Sequence, residues 1–265
     1  MLQVSQLFIY PIKSLGGIAL TNAEVTDRGL RYDRRWMLID DNNRFISQRE
    51  FAKMALLKVS IESDGLRVIY TPNQSSIQIP FVPETSTTVQ ASVWDDTCEG
   101  TLVSPKVDVW FTDMLGMSAR LIYMADDSHR AVDPRYARQQ EVTSFADGYP
   151  FLLIGQASLD ELNTRLQNQI KIDRFRPNIV FTGGEPFAED VMPHININGI
   201  DFFGVKRCAR CVMITIDQQN AAKNVEPMKI LASYRAQKNK IYFGQNLLHN
   251  GTGSINIGDI LKVLA

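Results

Sequence analysis

Arg207-Cys208-Ala209-Arg210-Cys211-Val212-Met213-Ile214-Thr215-Ile216-Asp217 holds two of the chain's three cysteines. Each thiol directly follows an arginine, and a fixed positive charge nearby favours thiolate over thiol. After Cys211 the residues alternate Val, Ile, Ile against Met, Thr, Asp, which predicts a half-buried strand. That strand limits what the pair can do. In thioredoxin-like sites the motif opens a helix whose N-terminal dipole favours the thiolate, so a following strand counts against dithiol redox chemistry. A structural zinc site needs four ligands, and beyond this pair the chain offers only Cys98, His129, His194 and His249, each isolated in sequence. Two other readings stand beside these: an ordinary pair of core thiols, and one thiolate on a soft, redox-active metal whose other ligands come from an organic cofactor. Spacing alone leaves all four open.

Composition narrows the setting of that stretch. The 265 residues are 45% apolar, enough for one large core or two moderate ones, and a soluble globular chain is expected. A net charge of −1 gives no basic excess, which argues against a nucleic acid polymer or an anionic membrane as partner, so any cation cluster is local. Three cysteines do not make a disulfide framework and suit a reducing compartment. Residues 1–10 are strand-like, without a basic n-region and long apolar h-region, and no run approaches the ~18 apolar residues of a membrane span. The expected location is the cytoplasm.

Toward the N-terminus the chain is β-rich. Residues 7–11 are a short apolar run, 19–26 alternate, and 35–40 form another apolar stretch stopped by Asp40-Asp41-Asn42-Asn43. Further strands are predicted at 56–61, 66–70, 76–79 and 88–93, punctuated by Asp64-Gly65, Pro72-Asn73 and Pro80. Short strands at close spacing imply a barrel or sandwich. Val107, Trp110, Phe111 and Met114 recur at helical spacing over 106–115, and Gly116 is placed to end that helix. A domain boundary is expected near residue 120. Beyond it, 158–166 reads as a helix with Ser158 as N-cap and Glu161 completing a capping box. Strands follow at 179–182 and 195–203, the second carrying Asn198-Gly199 inside an alternating run, a strong hairpin signal. After the cysteine stretch come a helix over 228–235 and a last strand ending at Ala265. The expected fold is α+β and β-dominated: an N-terminal β-barrel-like domain, residues 1–120, packed on a second β-barrel domain, residues 121–265, with a few helices.

Several polar residues stand out, each with a plainer alternative. Lys13 and Ser14 close an apolar strand just before Gly16-Gly17, where backbone and cation can meet an anion, or simply form a hairpin turn. Arg34 sits in Asp33-Arg34-Arg35-Trp36; it either serves a site or makes a surface ion pair, and alternation sends Arg35 to the opposite face. Pro177 biases Arg176 toward an extended conformation, which puts the Arg176 guanidinium and the Asn178 amide on one face. Together they suit a phosphate and a heterocycle edge, or a capped turn feeding the next strand. The loop Ser144-Phe145-Ala146-Asp147-Gly148-Tyr149-Pro150 is either a ligand loop or a connection.

The order and spacing of Arg174-Phe175-Arg176-Pro177-Asn178-Ile179-Val180, Phe187-Ala188-Glu189-Asp190 and Cys208-Ala209-Arg210-Cys211 resemble the MOSC domain of molybdenum cofactor proteins. Tyr10-Pro11-Ile12-Lys13-Ser14 and Asp33-Arg34-Arg35-Trp36 resemble the N-terminal β-barrel domain that accompanies it in the amidoxime-reducing components and in bacterial YcbX-type proteins. The resemblance spans nearly the whole chain.

It implies a molybdenum-molybdopterin cofactor, with Cys211 as metal ligand and catalytic residue. Lys13, Ser14, Arg34, Asp147, Gly148, Tyr149, Arg176, Asn178, Ala209 and Arg210 are then the cofactor-binding residues, Cys208 is a neighbouring or packed thiol, and Cys98 is core. The implied activity is reduction of N-hydroxylated bases, hydroxylamines and amidoximes. No histidine matches a family motif, which leaves Asp217 and Glu189 as weak candidates for a general acid. YcbX-type proteins commonly carry a C-terminal ferredoxin-like domain whose cysteines are not found here, so electrons are expected from a separate flavoprotein reductase or an iron-sulfur or b-type haem carrier. The membrane anchor of the mitochondrial relatives is also not found, and pyridoxal phosphate binding is a further family association. The alternative function is a non-catalytic carrier of the cofactor, or of sulfur on Cys211; a third is a β-barrel interaction protein whose cysteine pair is core.

Overall fold

The computed structural model of the chain describes residues 1–264. Strands dominate it, arranged in four sheets with three α-helices among the described residues. The largest sheet runs Leu261–Val263, His194–Ile197, Ile200–Ala209, Lys240–Asn250, Phe151–Gly155, Ile179–Thr182, Gln3–Ile9 and Ile18–Leu20, with Ala236–Gln237 paired at its side. Phe151–Gly155 and Ile179–Thr182 are parallel, and the chain between them includes the helix Gln156–Asn163. Phe151 and Leu153 pack with Val4, Leu7 and Ile9 on one face of this sheet, while Leu152 and Ile154 pack with Phe175, Val180 and Phe243 on the other. A strand covered on both faces is apolar throughout, so periodicity does not mark it as a strand.

The chain's first strands pair with strands far along the sequence as well as with near neighbours. Gln3–Ile9 pairs with Ile179–Thr182, and Asn22–Thr26 pairs with Gly253–Asn256. The run expected as one strand over 19–26 is therefore cut at Thr21, because Ile18–Leu20 and Asn22–Thr26 serve different sheets. A three-stranded sheet of Gly253–Asn256, Asn22–Thr26 and Gly29–Leu30, a four-stranded sheet of Trp36–Ile39, Arg120–Tyr123, Asp96–Leu102 and Thr88–Val93, and a meander of Leu57–Ile61, Gly65–Tyr70 and Ser75–Pro80 make up the rest. Trp36, Leu38, Leu57, Leu66 and Ile79 meet there with Val107, Phe111 and Leu115 of the helix Pro105–Leu115. Gly116 ends that helix at φ 67, as its position predicts. Asp96–Leu102 shows no apolar alternation because its inward residues are Cys98 and Gly100; a Cβ on Gly100 would lie 2.7 Å from Ile122 Cδ1.

Three local expectations fail. Cys211 is followed by one 3-10 turn, Val212–Thr215, and the strand lies before it as Ile200–Ala209, carrying Cys208 near its end. Val212 is 54% exposed while Ile214 and Thr215 are buried, so the apparent alternation belongs to a tight turn. Ser158 is not an N-cap. The helix Gln156–Asn163 starts directly from its preceding strand with Gly155 at the cap, and the Ser158 hydroxyl lies buried inside, donating to Glu189 Oε2 at 2.9 Å and accepting from Phe187 N at 2.7 Å. Arg176 is left-handed, φ 56, not extended. Its guanidinium donates to Leu15 O at 2.7 Å and its carbonyl accepts from Arg34 Nη2 at 3.2 Å, tertiary bonds that offset the roughly 1–2 kcal/mol of that conformation. The predicted hairpin turn forms, with Asn198 at φ 50 and Gly199 at φ 83. The strand end expected at Ala265 lies outside the described residues.

Candidate functional site

A cleft of about 260 Å³ opens where the Ile200–Ala209 strand end meets the 13–14 turn, the 144–150 loop and the 174–178 segment. Every residue that the resemblance assigns to the cofactor or the metal lines it: Lys13, Ser14, Arg34, Asp147, Gly148, Tyr149, Arg176, Asn178, Ala209, Arg210 and Cys211. Ser14 at φ 68, Arg34 at φ 50 and Arg176 at φ 56 hold left-handed backbone there. Such conformations cost about 1–3 kcal/mol each and persist where the surrounding fold over-determines them.

The cations are built in deeply. Lys13 is 5% exposed, and its Nζ donates to Phe145 O at 2.7 Å and Asp147 Oδ1 at 2.5 Å. Burial lowers its pKa, and Asp147 opposes that only in part. The Asp147 side chain is 69% exposed on the rim. Crowding by neighbouring groups works against its charge, but the Lys13 ammonium and the Trp94 indole hold it below the usual carboxylate range. Arg34 donates to Asp33 Oδ2 at 2.6 Å and Asn178 Oδ1 at 3.3 Å. The Asn178 amide is otherwise engaged with Leu152 N and Phe8 O, so it knits the strands together and positions Arg34. Arg34 and Arg176 lie 4.5 and 4.1 Å from the Tyr10 ring centroid. Burial, then the Arg34 charge, lowers the Arg176 pKa to about 10. Arg176 Nη2 and Arg210 Nε are buried without a partner.

The two cysteines part company. Cys211 is exposed, whereas Cys208 is half-buried against the cluster that holds Phe175 and Phe243. Arg210 turns to Cys208, donating from Nη1 to its Sγ at 2.9 Å and from Nη2 to Phe175 O at 2.7 Å.

Residues 1–118 match the MOSC N-terminal beta barrel domain, and residues 140–262 match the MOSC domain. Mitochondrial amidoxime-reducing component 1 of Mus musculus is 30% identical over 98% of this chain and 82% of its own length. The chain belongs to the MOSC family. The Homo sapiens counterpart is 29% identical over the same shares, and the molybdenum cofactor sulfurase of Solanum lycopersicum is 30% identical over 91% of this chain but 32% of the sulfurase.

Sequence reasoning missed some of this MOSC protein's site. Arg130 pins the 144–150 loop, donating from Nη1 to Ser144 O at 2.8 Å and Ala146 O at 2.5 Å. Arg174, Lys206 and Arg207 also line the cleft. Arg130 stands alone in sequence and carries no local signal, whereas Arg174 and Arg207 stand inside the quoted motifs and Lys206 abuts one. The candidate acids do not line the cleft. Asp217 is bound to Arg174 at 2.6 Å, and Glu189 is fully buried beside Ser158. Among the described residues no group of three or more His, Cys, Asp or Glu side chains is disposed to hold a metal, and no helix is long and apolar enough to cross a membrane.

Proposed function

We propose that this MOSC protein holds a molybdenum-molybdopterin cofactor in the cleft and reduces N-hydroxylated compounds with electrons from a separate redox protein. What supports the reading is one convergence: buried guanidinium nitrogens without acceptors share a cleft with an exposed thiol. An unpaired buried donor costs about 1–3 kcal/mol until an acceptor arrives, and a phosphate or heterocycle edge is such an acceptor. Cys211 offers a soft thiolate to a metal whose remaining ligands a dithiolene can supply. The residues present therefore fit the group.

When bound, the cofactor supplies the two-electron chemistry that converts N–OH to N–H and water with uptake of two protons. The chain does the rest. Arg176, Arg34 and Lys13 neutralise an anionic cofactor, and Asp33 and Asn178 fix the Arg34 fork. Lys13 Nζ holds a proton that burial has loosened, bonded to a carboxylate open to solvent. Three cysteines, none in a disulfide, suit the reducing cytoplasm. A second reading, a carrier of cofactor or of sulfur, draws on the exposure of Cys211 and on the sulfurase match.

Metal analysis of protein from a molybdopterin-making host tests both. About one molybdenum per chain is expected for a single thiolate site; stoichiometric zinc without molybdenum sinks the enzyme and the cofactor carrier together. Loaded protein that stays inert with chemically reduced dye and an amidoxime leaves the carrier.

A further inference from the structure

A second cavity of about 320 Å³ adjoins the cleft, walled by Arg135, Tyr136, Lys206, Arg207, Lys240 and Tyr242. Lys206, Arg207 and Ala209 line both spaces, which therefore share a wall. No carboxylate lines the second one. Arg135 pairs with Asp133 at 2.7 Å, and Asp190 lies 3.8 Å from Arg207 but is bonded to Arg235. Lys206 and Lys240 make no ion pair among the described residues. Asp133 also feels the Lys206 charge, so four cations face two carboxylates, and an anion offsets the remaining positive charge.

The backbone is shaped to collect them. Neighbours on a regular strand face opposite ways, yet Lys206 and Arg207 both line both cavities. The ladder loses register on either side of them, between Gly204 and Lys206 and between Arg207 and Ala209. Bulges of this kind re-aim side chains beside active sites. Lys206 Nζ sits 4.3 Å from the Tyr136 ring centroid and Arg207 4.6 Å from that of Tyr242, contacts that steady each cation without neutralising it.

We propose that the second cavity is a phosphate subsite, and that the substrate is an N-hydroxylated nucleoside phosphate with its base toward Cys211 and its phosphate against Lys206, Arg207 and Lys240. This rests on the reductase reading. The base takes the Cys211 side and the phosphomonoester the Lys240 side, with the wall of Lys206 and Arg207 common to both. The phosphate takes no part in the chemistry: N–OH, two electrons and two protons still give N–H and water.

The test compares N4-hydroxycytidine with its 5′-monophosphate on molybdenum-loaded protein, with dithionite-reduced methyl viologen as donor so that no partner protein contributes. The monophosphate should have about tenfold higher kcat/KM at low salt, narrowing as salt screens the cations. Lys240→Gln, at a residue that lines only the second cavity, should cut that preference about fivefold and leave the nucleoside unchanged. Inorganic phosphate should compete with the monophosphate alone. Calorimetric titration with cytidine 5′-monophosphate against cytidine should show the same preference, independent of turnover. Equal handling of nucleoside and monophosphate, or a preference that survives Lys240→Gln, overturns the subsite and leaves the reductase standing. Failure to reduce either compound, with the binding preference intact and sensitive to Lys240→Gln, removes the reductase and retains the phosphate site.

Discussion

Arg176 gathers several costs at one residue: left-handed backbone at φ 56, burial to 8% exposure, and a guanidinium nitrogen with no acceptor. The bonds to Leu15 O and from Arg34 offset the backbone cost, and on the proposed reading the open guanidinium nitrogen is left for the cofactor. Arg176→Ala should lower molybdenum and pterin content about tenfold or more, since each charge-assisted bond is worth roughly 1.5–3 kcal/mol. Lysine should restore it only in part, because a point charge does not copy the planar fork. Turnover per bound metal should stay near intact, measured on the same samples; full cofactor in the alanine variant would remove the phosphate role. The neighbouring thiols differ in exposure, and their variants should differ too. Cys211→Ser should fold normally by circular dichroism and lose N-hydroxyl reduction, while Cys208→Ser loses less. Equal loss in both with unchanged metal would instead favour dithiol chemistry across the pair.

At the scale of elements, the helix Gln156–Asn163 and the 3-10 turn Ala188–Val191 share one buried carboxyl. Glu189 bonds Ser158 through Oε2, its Oε1 has no partner, and burial raises its pKa from 4.5 to about 7. A folded pKa above the unfolded one means the native state binds the extra proton. The contribution is fully present below about pH 4.5 and is lost as pH rises through about 7, a swing of roughly 3 kcal/mol. Urea unfolding at pH 5 and pH 8 should therefore show a wild-type decrement that Glu189→Gln lacks; parallel curves for the two proteins would refute it. The 198–199 turn offers a cleaner backbone test. Gly199 sits at φ 83 with nothing within 4 Å of an added Cβ, so Gly199→Ala meets no clash and should cost about 1 kcal/mol by conformation alone, read as a lower urea midpoint.

Across the whole molecule, the sheets do not follow the sequence order of the two matched domains. Val4, Leu7, Ile9, Val25 and Leu30 share a core with Phe151, Phe181 and Phe202, and Gln3–Ile9 supplies the edge-ward partner of Ile179–Thr182. A fragment of residues 121–265 alone should lack a cooperative unfolding transition, because it exposes that core and an unpaired strand. Co-expression with residues 1–120 should restore one. A fragment that unfolds cooperatively by itself would show that the N-terminal strands are dispensable.

Local chemistry was enough to place the punctuated strands over 57–93, the helix closed by Gly116 and the Asn198-Gly199 hairpin, because each is set by residues within a few positions of one another. The residues now lining the cleft were also legible, through motifs that hold their order in the chain. Tertiary packing decided what those signals could not reach. Phe151–Gly155 became a strand because both its faces are covered, and 19–26 was divided because two sheets claim it. Arg176 turned left-handed to meet Leu15 O against the preference Pro177 imposes. The residues after Cys211 became a turn whose apolar members happened to alternate. The first three were settled by a partner more than a hundred residues away or by burial on a second face, and neither is written in the period of a short segment.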